Sequence, residues 1–352
     1  LISVIVTIIA LGVIVVIHEL GHMLAARRAG VGVLEFSIGM GPVVLSKQVK
    51  ETLYSLRAFP FGGFVKLAGM DDSEEPVPDS LNYQFKPWYD KALIIVSGSL
   101  SNIFLGFVIF VMMFWISGVP QANSKIKSVM EGSPAAEAGV LASDDIVSVS
   151  GKPVTDVTHD VIGSIRRSQG QPIHFKVRRG SEEFDVTITP EKGEKGTYQI
   201  GVMFDFTIQN YAFLGSITHG WKATWGMMGG VFESLKLLIT GTVSLKEMSG
   251  PVGIVQFASH GYQRSMADFM GVVALISISL GVFNLLPLPV LDGGHLVFLI
   301  VEVLRGKPLA PATQMWIQKI GITLLVSLMV FALFNDAISW QSRSKLFGSF
   351  FK

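Results

Sequence analysis

Four apolar runs, at residues 1 to 27, 92 to 118, 271 to 304 and about 314 to 334, are each long enough to cross a bilayer as a helix. In lipid every backbone polar group must be satisfied by its own segment or by surrounding protein, so these runs point to a polytopic α-helical membrane protein. Composition agrees. With 49% hydrophobic and 16% charged residues and a mean hydropathy of +0.50, the chain is too apolar for an ordinary soluble protein and too charged to lie wholly in lipid. A net charge of +1, with no run of Lys or Arg forming a patch, gives no sign of nucleic-acid binding. There is no cysteine, so any zinc must sit on His, Asp or Glu.

The chain opens in apolar sequence without a methionine. Residues 1 to 27 read as a span and not a cleaved signal, because the run is long and its arginines follow it. Arg27 and Arg28 close the first span, and Arg305 and Lys307 close the third. The positive-inside rule makes those ends cytoplasmic and places both termini and the segment 119 to 270 outside, although Arg343, Lys345 and Lys352 pull weakly the other way.

That outer segment holds a β-rich insert at 124 to 205. Five strand-like runs (KIKSVM, DIVSVSG, PIHFKVRR, EEFDVTITP, YQIGVMF) come with a short helix near PAAEAG and a longer one around THDVIGSIRRS. The order, with SPAAEAGVLASDDIVSVSGKPV at its front, resembles a bacterial PDZ domain, which implies binding of peptide C-termini as an added strand beside the second helix. A spacer with no groove in use, or a size filter, are the alternatives. At 217 to 240, Trp221, Trp225, Met228, Phe232, Leu235 and Ile239 form one apolar stripe, predicting an amphipathic helix at the bilayer surface. An ordinary helix packed on the PDZ-like insert is the other reading.

The first span contains HELGH. His18 and His22, four residues apart, share one helix face and can ligate one metal, while Glu19, on a different radius, is placed as general base for a water activated there. An unpaired carboxylate at membrane depth costs about 2.5 kcal/mol or more, so ionisable groups there are functional by default. Catalytic zinc keeps three protein ligands. The other deep polar cluster is NLLPLPVLDGGH at 284 to 295, where Pro287 and Pro289 interrupt the third span and Gly293 and Gly294 are expected to loosen it after Asp292. Asp292 is the natural third ligand and His295 its competitor. His18 lies nine positions before Arg27 and Asp292 ten before Glu302, so both stand about 14 Å from the cytoplasmic ends of parallel spans.

HELGH in the first span, NLLPLPVLDGG in a late one and a PDZ-like insert between the second and third together resemble the site-2 protease family of intramembrane zinc metalloproteases. The resemblance is nearest to the bacterial regulator of sigma-E protease group and covers nearly the whole chain. It implies that His18, His22 and Asp292 bind Zn2+, that Glu19 activates water, and that Asn284 helps hold an unwound substrate segment. FPFGGFVKLAGM at 59 to 70 resembles the family's membrane-dipping β-loop, within the region 28 to 91, so Gly62, Gly63 and Phe64 are placed where an edge pairs with extended substrate. A plain cytoplasmic hairpin is the alternative there. GSLSN at 98 to 102 matches a Gly-Pro-x-x-Asn pattern with Ser99 in place of proline, leaving Asn102 to point at the active site or to bond a neighbouring helix. SGPVGIVQFAS at 249 to 259 also matches the segment leading into the late spans, whereas several relatives carry two PDZ domains and one is found here.

The resemblance implies hydrolysis of peptide bonds within single-pass transmembrane proteins, in a bacterial inner membrane with the PDZ-like domain extracytoplasmic. Two other classes share some of these features. A membrane-anchored PDZ adaptor with a dead metal site would have no need of Glu19. A transporter is suggested by the broken third span, but the second half does not repeat the first.

Overall fold

The computed structural model describes residues 2–70, 77–193, 197–242, 249–307 and 309–350. Lys352, one of the basic residues that bear on topology, lies outside them. The chain divides into two units, one of residues 1–116 with 212–352 and the other of residues 117–211.

The first unit begins with α1, Ile2–Arg28, which carries HELGH in its second half. Two long strands follow, β1 (Val33–Val49) and β2 (Thr52–Leu67). They do not form a plain hairpin, because the pairing of β2 is interrupted between Phe59 and Gly63. The tip pairs Val49 with Thr52 and runs back antiparallel to Val43 opposite Arg57. Residues 35–38 then take two sets of partners: Leu53 to Leu56, with the numbers rising together, and Lys66 down to Gly63, with the numbers running against each other. The result is four short runs side by side, in the order 63–67, 33–38, 52–57, 43–49. A core of Met23, Ala26, Val33, Phe36, Leu67 and Ile94 pins this sheet to α1 and to the start of the next helix. Burial pushes the Glu35 carboxyl up, but hydrogen bonds from Ser55 and Arg57 outweigh it and hold the group below its ordinary range. Next comes α2, Trp88–Ser117.

The second unit is a sheet with two short helices. Its strands are β3 (Val119–Val129), β4 (Asp145–Val149), β5 (Lys152–Pro153), β6 (Ile173–Arg179), β7 (Glu182–Ile188), β8 (Glu191–Lys192), β9 (Tyr198–Gln199) and β10 (Val202–Gln209). The main order is β10-β3-β4-β6-β7, with β5 on β4. Helix α3 is Pro134–Glu137, and a π-helical turn at Val157–Ile162, capped by Asp156, leads into α4, Gly163–Arg167. Phe175, Ile126, Ile146, Val161, Val177 and Ile188 are its buried centre. Asp144, itself buried, accepts two hydrogen bonds from Arg179, which hold its carboxyl below the usual range. The unit is wider than the expected 124 to 205, because β3 and β10 extend each other outwards to Val119 opposite Gln209.

The chain then returns to the first unit with α5 (Phe213–Ile239), α6 (Pro251–Arg264), α7 (Met266–Asn284), α8 (Asp292–Arg305) and α9 (Pro311–Phe350). Four helical stretches among the described residues are long and apolar enough to cross a membrane: Ile2–Arg28, Trp88–Ser117, Met266–Asn284 and Ala312–Trp340. The expected third span of 271 to 304 is therefore two helices, since Pro287 and Pro289 donate no backbone hydrogen bond and the chain leaves helical geometry from 285 to 291. Helix α6 ties the two ends of the chain together. Asp336 on α9 accepts hydrogen bonds from the Gly250, Val252 and Gly253 N–H groups at the start of α6. Farther along α6, the Ser259 and Thr7 hydroxyls lie 3.4 Å apart.

Helix α5 matches the predicted 217 to 240 but turns the other way from a water-soluble helix. Ser216, Gly220, Thr224 and Val231 are its buried residues, whereas Trp221 is 57% exposed and Trp225, Phe232 and Ile239 also face outwards. Gly220 meets Val111, and Trp221 stacks edge-on against Phe107, so this helix packs on α2. Small residues make the contact and large apolar ones are left outside, as membrane helices do.

Candidate metal centre

Helix α1 presents His18 and His22 on the side that α2 covers. The two helices approach closely because position 21 is glycine, where a Cβ would overlap the Ser101 side chain and the Ser97 carbonyl. Asp292 arrives from far along the chain as the first residue of α8. The turn before it is strained at Val290, a β-branched residue with φ of 86°. Gly293 and Gly294 do not loosen this turn, as the sequence suggested. A Cβ on either would run into the carbonyls of Leu286 and Leu288, so the glycines let the start of α8 fold down onto 285–288 and set where Asp292 points.

The three donors converge. The Nε2 atoms of His18 and His22 are 3.2 Å apart, His18 Nε2 is 3.4 Å from Asp292 Oδ2, and His22 Nε2 is 3.5 Å from Asp292 Oδ1. The edge of a tetrahedron with spokes of about 2.05 Å is about 3.3 Å, so this spacing suits Zn2+ held by two imidazoles and one carboxylate. With both Nε2 atoms turned inwards, each Nδ1 needs a partner outside the cluster. His22 Nδ1 has the Ile94 carbonyl at 2.7 Å, and His18 Nδ1 faces the Asn102 amide at 3.3 Å. A metal-facing Nε2 leaves the proton on Nδ1, which the Asn102 side chain accepts when its amide is assigned with the oxygen towards the ring, and the Gly98 backbone also hydrogen-bonds His18.

His18, Glu19, His22, Asn284 and Asp292 all line one cavity of about 390 Å³. Phe64 and Val65 form part of its wall, and the Val65 backbone hydrogen-bonds Glu19. Gly63 lies beside Glu19, where an added Cβ would stand 3.2 Å from the Glu19 Cγ; Gly62, at φ of 88°, packs on Met40 instead. His295, the competitor for the third ligand position, lines the cavity but lies outside the donor cluster. Asn102 is 0% exposed behind His18 and does not line the cavity, so it can act on substrate only through His18. Sequence reasoning missed Ser99, whose hydroxyl donates to Asp292 Oδ2 at 2.9 Å. Its signal was a polar residue one turn before Asn102 in an apolar helix.

In the second unit, Asp156, Thr158 and Ile162 face Phe204 and Phe206 of β10 across a cavity of about 370 Å³. Among the described residues, β10 is the last strand of the sheet and pairs with no strand on the side away from β3.

Residues 6–328 match the model of Peptidase family M50. The chain is 30% identical over 410 residues to the zinc metalloprotease RasP of Geobacillus kaustophilus, covering 95% of this chain and 97% of that protein. It is 28% identical over 413 residues to the regulator of sigma-W protease RasP of Bacillus subtilis, with 95% and 98% covered. A third relative, the chloroplastic membrane metalloprotease ARASP of Arabidopsis thaliana, is 30% identical over 359 residues, with 96% and 79% covered. Among solved structures, the PDZ domain of an SdrC-like protein from Listeria monocytogenes matches 24% of this chain and 90% of its own, at 23% identity and a TM-score of 0.22.

Proposed function

The chain belongs to peptidase family M50 and is a zinc metalloprotease of the site-2 type with a membrane location, and from that premise we propose that it hydrolyses peptide bonds inside the transmembrane segments of single-pass membrane proteins. One observation carries this reading. Glu19 and the three convergent donors open into the same cavity, and part of its wall is made by α1, α2 and α7, helices apolar enough to span a bilayer.

His18, His22 and Asp292 would hold Zn2+, which supplies Lewis acidity that brings the pKa of water down towards about 7 and polarises a carbonyl. Glu19 takes the proton from the attacking water as its oxygen bonds to the scissile carbonyl carbon. The same carboxyl then gives the proton to the nitrogen as the C–N bond breaks. A helical substrate hides its carbonyls in its own hydrogen bonds, so it must be opened first. The run 63–67 ends its sheet beside the cavity and offers backbone groups for an extended segment to pair with. Asn284, which lines the same cavity at the end of α7, offers an amide for the same unwound backbone.

Outside the bilayer, the groove between β10 and the Val157–Ile162 turn would take a peptide C-terminus as an added strand, or would exclude bulky substrates. The exposed Trp221, Trp225 and Phe232 would rest in the surface of a bacterial inner membrane, with residues 117–211 extracytoplasmic.

Purified full-length protein in detergent should cut a reporter bearing one transmembrane helix, lose that activity to a chelator and regain it with added zinc. Cleavage that persists without metal would sink the reading. In the same assay a chain lacking 117–211 should cut a substrate with a large folded outer domain that the whole protein spares. Equal selectivity by the two would remove the groove from substrate choice.

A further inference from the structure

We propose that Ser99 is a positioning residue for this metal centre: its hydroxyl fixes the carboxylate of Asp292 in the orientation that completes the ligand set. The inference rests on the reading of His18, His22 and Asp292 as the zinc ligands and goes beyond it. Helix α2 runs behind all three. The Ile94 carbonyl and the Ser99 and Asn102 side chains, spaced along about two turns, meet respectively His22 Nδ1 at 2.7 Å, Asp292 Oδ2 at 2.9 Å and His18 Nδ1 at 3.3 Å.

The direction of the Ser99 hydroxyl is the telling feature. A serine or threonine inside a helix ordinarily bonds back to a carbonyl one turn earlier. Ser97 does so, to the Ile94 carbonyl at 2.8 Å, and so do Thr7, to Ser3, and Thr224, to Gly220. Ser99 reaches across to a residue 193 positions away instead. It is 0% exposed, so no bulk water competes for Asp292 Oδ2 from its side. Its own place is fixed from behind by α7: Gly281 brings that helix against the Ser99 carbonyl, and Ser277 donates to the Asn102 carbonyl at 2.8 Å.

Asp292 needs such a hold more than the histidines do. Both imidazoles ride on one helix and are braced by α2, whereas Asp292 begins α8 directly after a non-helical stretch with a strained residue at Val290. A carboxylate on a short stem can rotate so that neither oxygen meets the imidazoles. Engaging Oδ2 leaves Oδ1 directed at His22.

The test uses the full chain in detergent, stripped of metal and retitrated with zinc against a competing chromophoric chelator. Ser99→Ala should bind zinc about 10- to 100-fold more weakly than wild type and should shift the visible spectrum of the cobalt-loaded protein, with helical content unchanged. Ser99→Thr, which keeps the hydroxyl, should stay with wild type. If the alanine variant does not fold, Ser99→Val, which matches the threonine variant in shape but lacks the hydroxyl and offers no metal ligand, serves in its place. Unchanged affinity and spectrum in the hydroxyl-free variant would overturn the proposal, as would a threonine variant that falls as far as alanine. Wild-type protein that binds zinc no better than a His22→Ala control would bring down the metal centre itself, and this inference with it.

Discussion

Replacing Glu19 with glutamine should slow peptide-bond hydrolysis by about 10²- to 10⁴-fold, the contribution of a positioned general base, while the protein keeps its zinc. The substitution is nearly isosteric. An amide oxygen can still meet the Val65 backbone, and the space limited by Gly63 is not exceeded. None of the three donor atoms is touched. What is lost is only the capacity to take up a proton, so single-turnover cleavage of a transmembrane reporter should collapse at an unchanged zinc content. Asn284→Ala supplies the contrast: it should also leave zinc in place, but its loss should be greatest for a helical substrate and smaller for a short unstructured peptide. Wild-type rates from the Glu19 variant would move the base elsewhere, and among the described residues His295 is the remaining titratable group on the cavity wall that is not a proposed ligand.

Much of this centre was readable before the fold was known, for a physical reason. Lipid is so costly a place for charge that HELGH and VLDGG, embedded in apolar sequence, had to find each other or some equivalent partner. Proline chemistry likewise marked where the third apolar run stops being helical. The partners on α2 were harder to read. Ser99 and Asn102 stood out as polar residues in an apolar helix, but which neighbour each meets depends on how closely α1, α2 and α7 pack, and that is set by Gly21, Gly98 and Gly281 together. At position 99 the sequence shows only a serine where the pattern has proline, whereas the structure has its hydroxyl donating to Asp292, a proposed ligand.

Two other features were hidden because they are made by distant pairings. Residues 119–123, VPQAN, look like a linker with a proline and an asparagine, and become a strand because β10 lies alongside. The double pairing of 35–38 cannot be seen in either strand alone, since alternation shows that a run can be a strand and not which neighbours it takes. For α5 the apolar stripe was correctly located, but periodicity does not say which face turns inwards. In water the stripe would be buried; here Gly220 and Thr224 are, and the tryptophans are not.

Gly98→Ala should cost at least about 100-fold in zinc affinity, and cleavage with it, since the effect falls directly on a ligand whose outer partners alone are worth 10- to 100-fold. On helix propensity the expectation runs the opposite way, because alanine in place of an interior glycine stabilises a helix by up to about 1 kcal/mol. Position 98 reverses the sign through geometry. A Cβ there would overlap the His22 imidazole at Nε2, the atom aimed at His18 and Asp292. The ring has little room to yield, because its other nitrogen is held by the Ile94 carbonyl at 2.7 Å, so relief must come either from breaking that bond or from parting α1 and α2. Either movement pulls His22 out of the proposed set of three ligands. Gly271→Ala, on α7, is the matched control: nothing lies within 4 Å of the added carbon, so this variant should keep full zinc binding and be as stable as wild type or slightly more so. Zinc content after dialysis against a chelator separates the cases. Retention by both variants would mean that α1 and α2 stand farther apart than this packing requires, while loss by the first alone would locate the clash at His22.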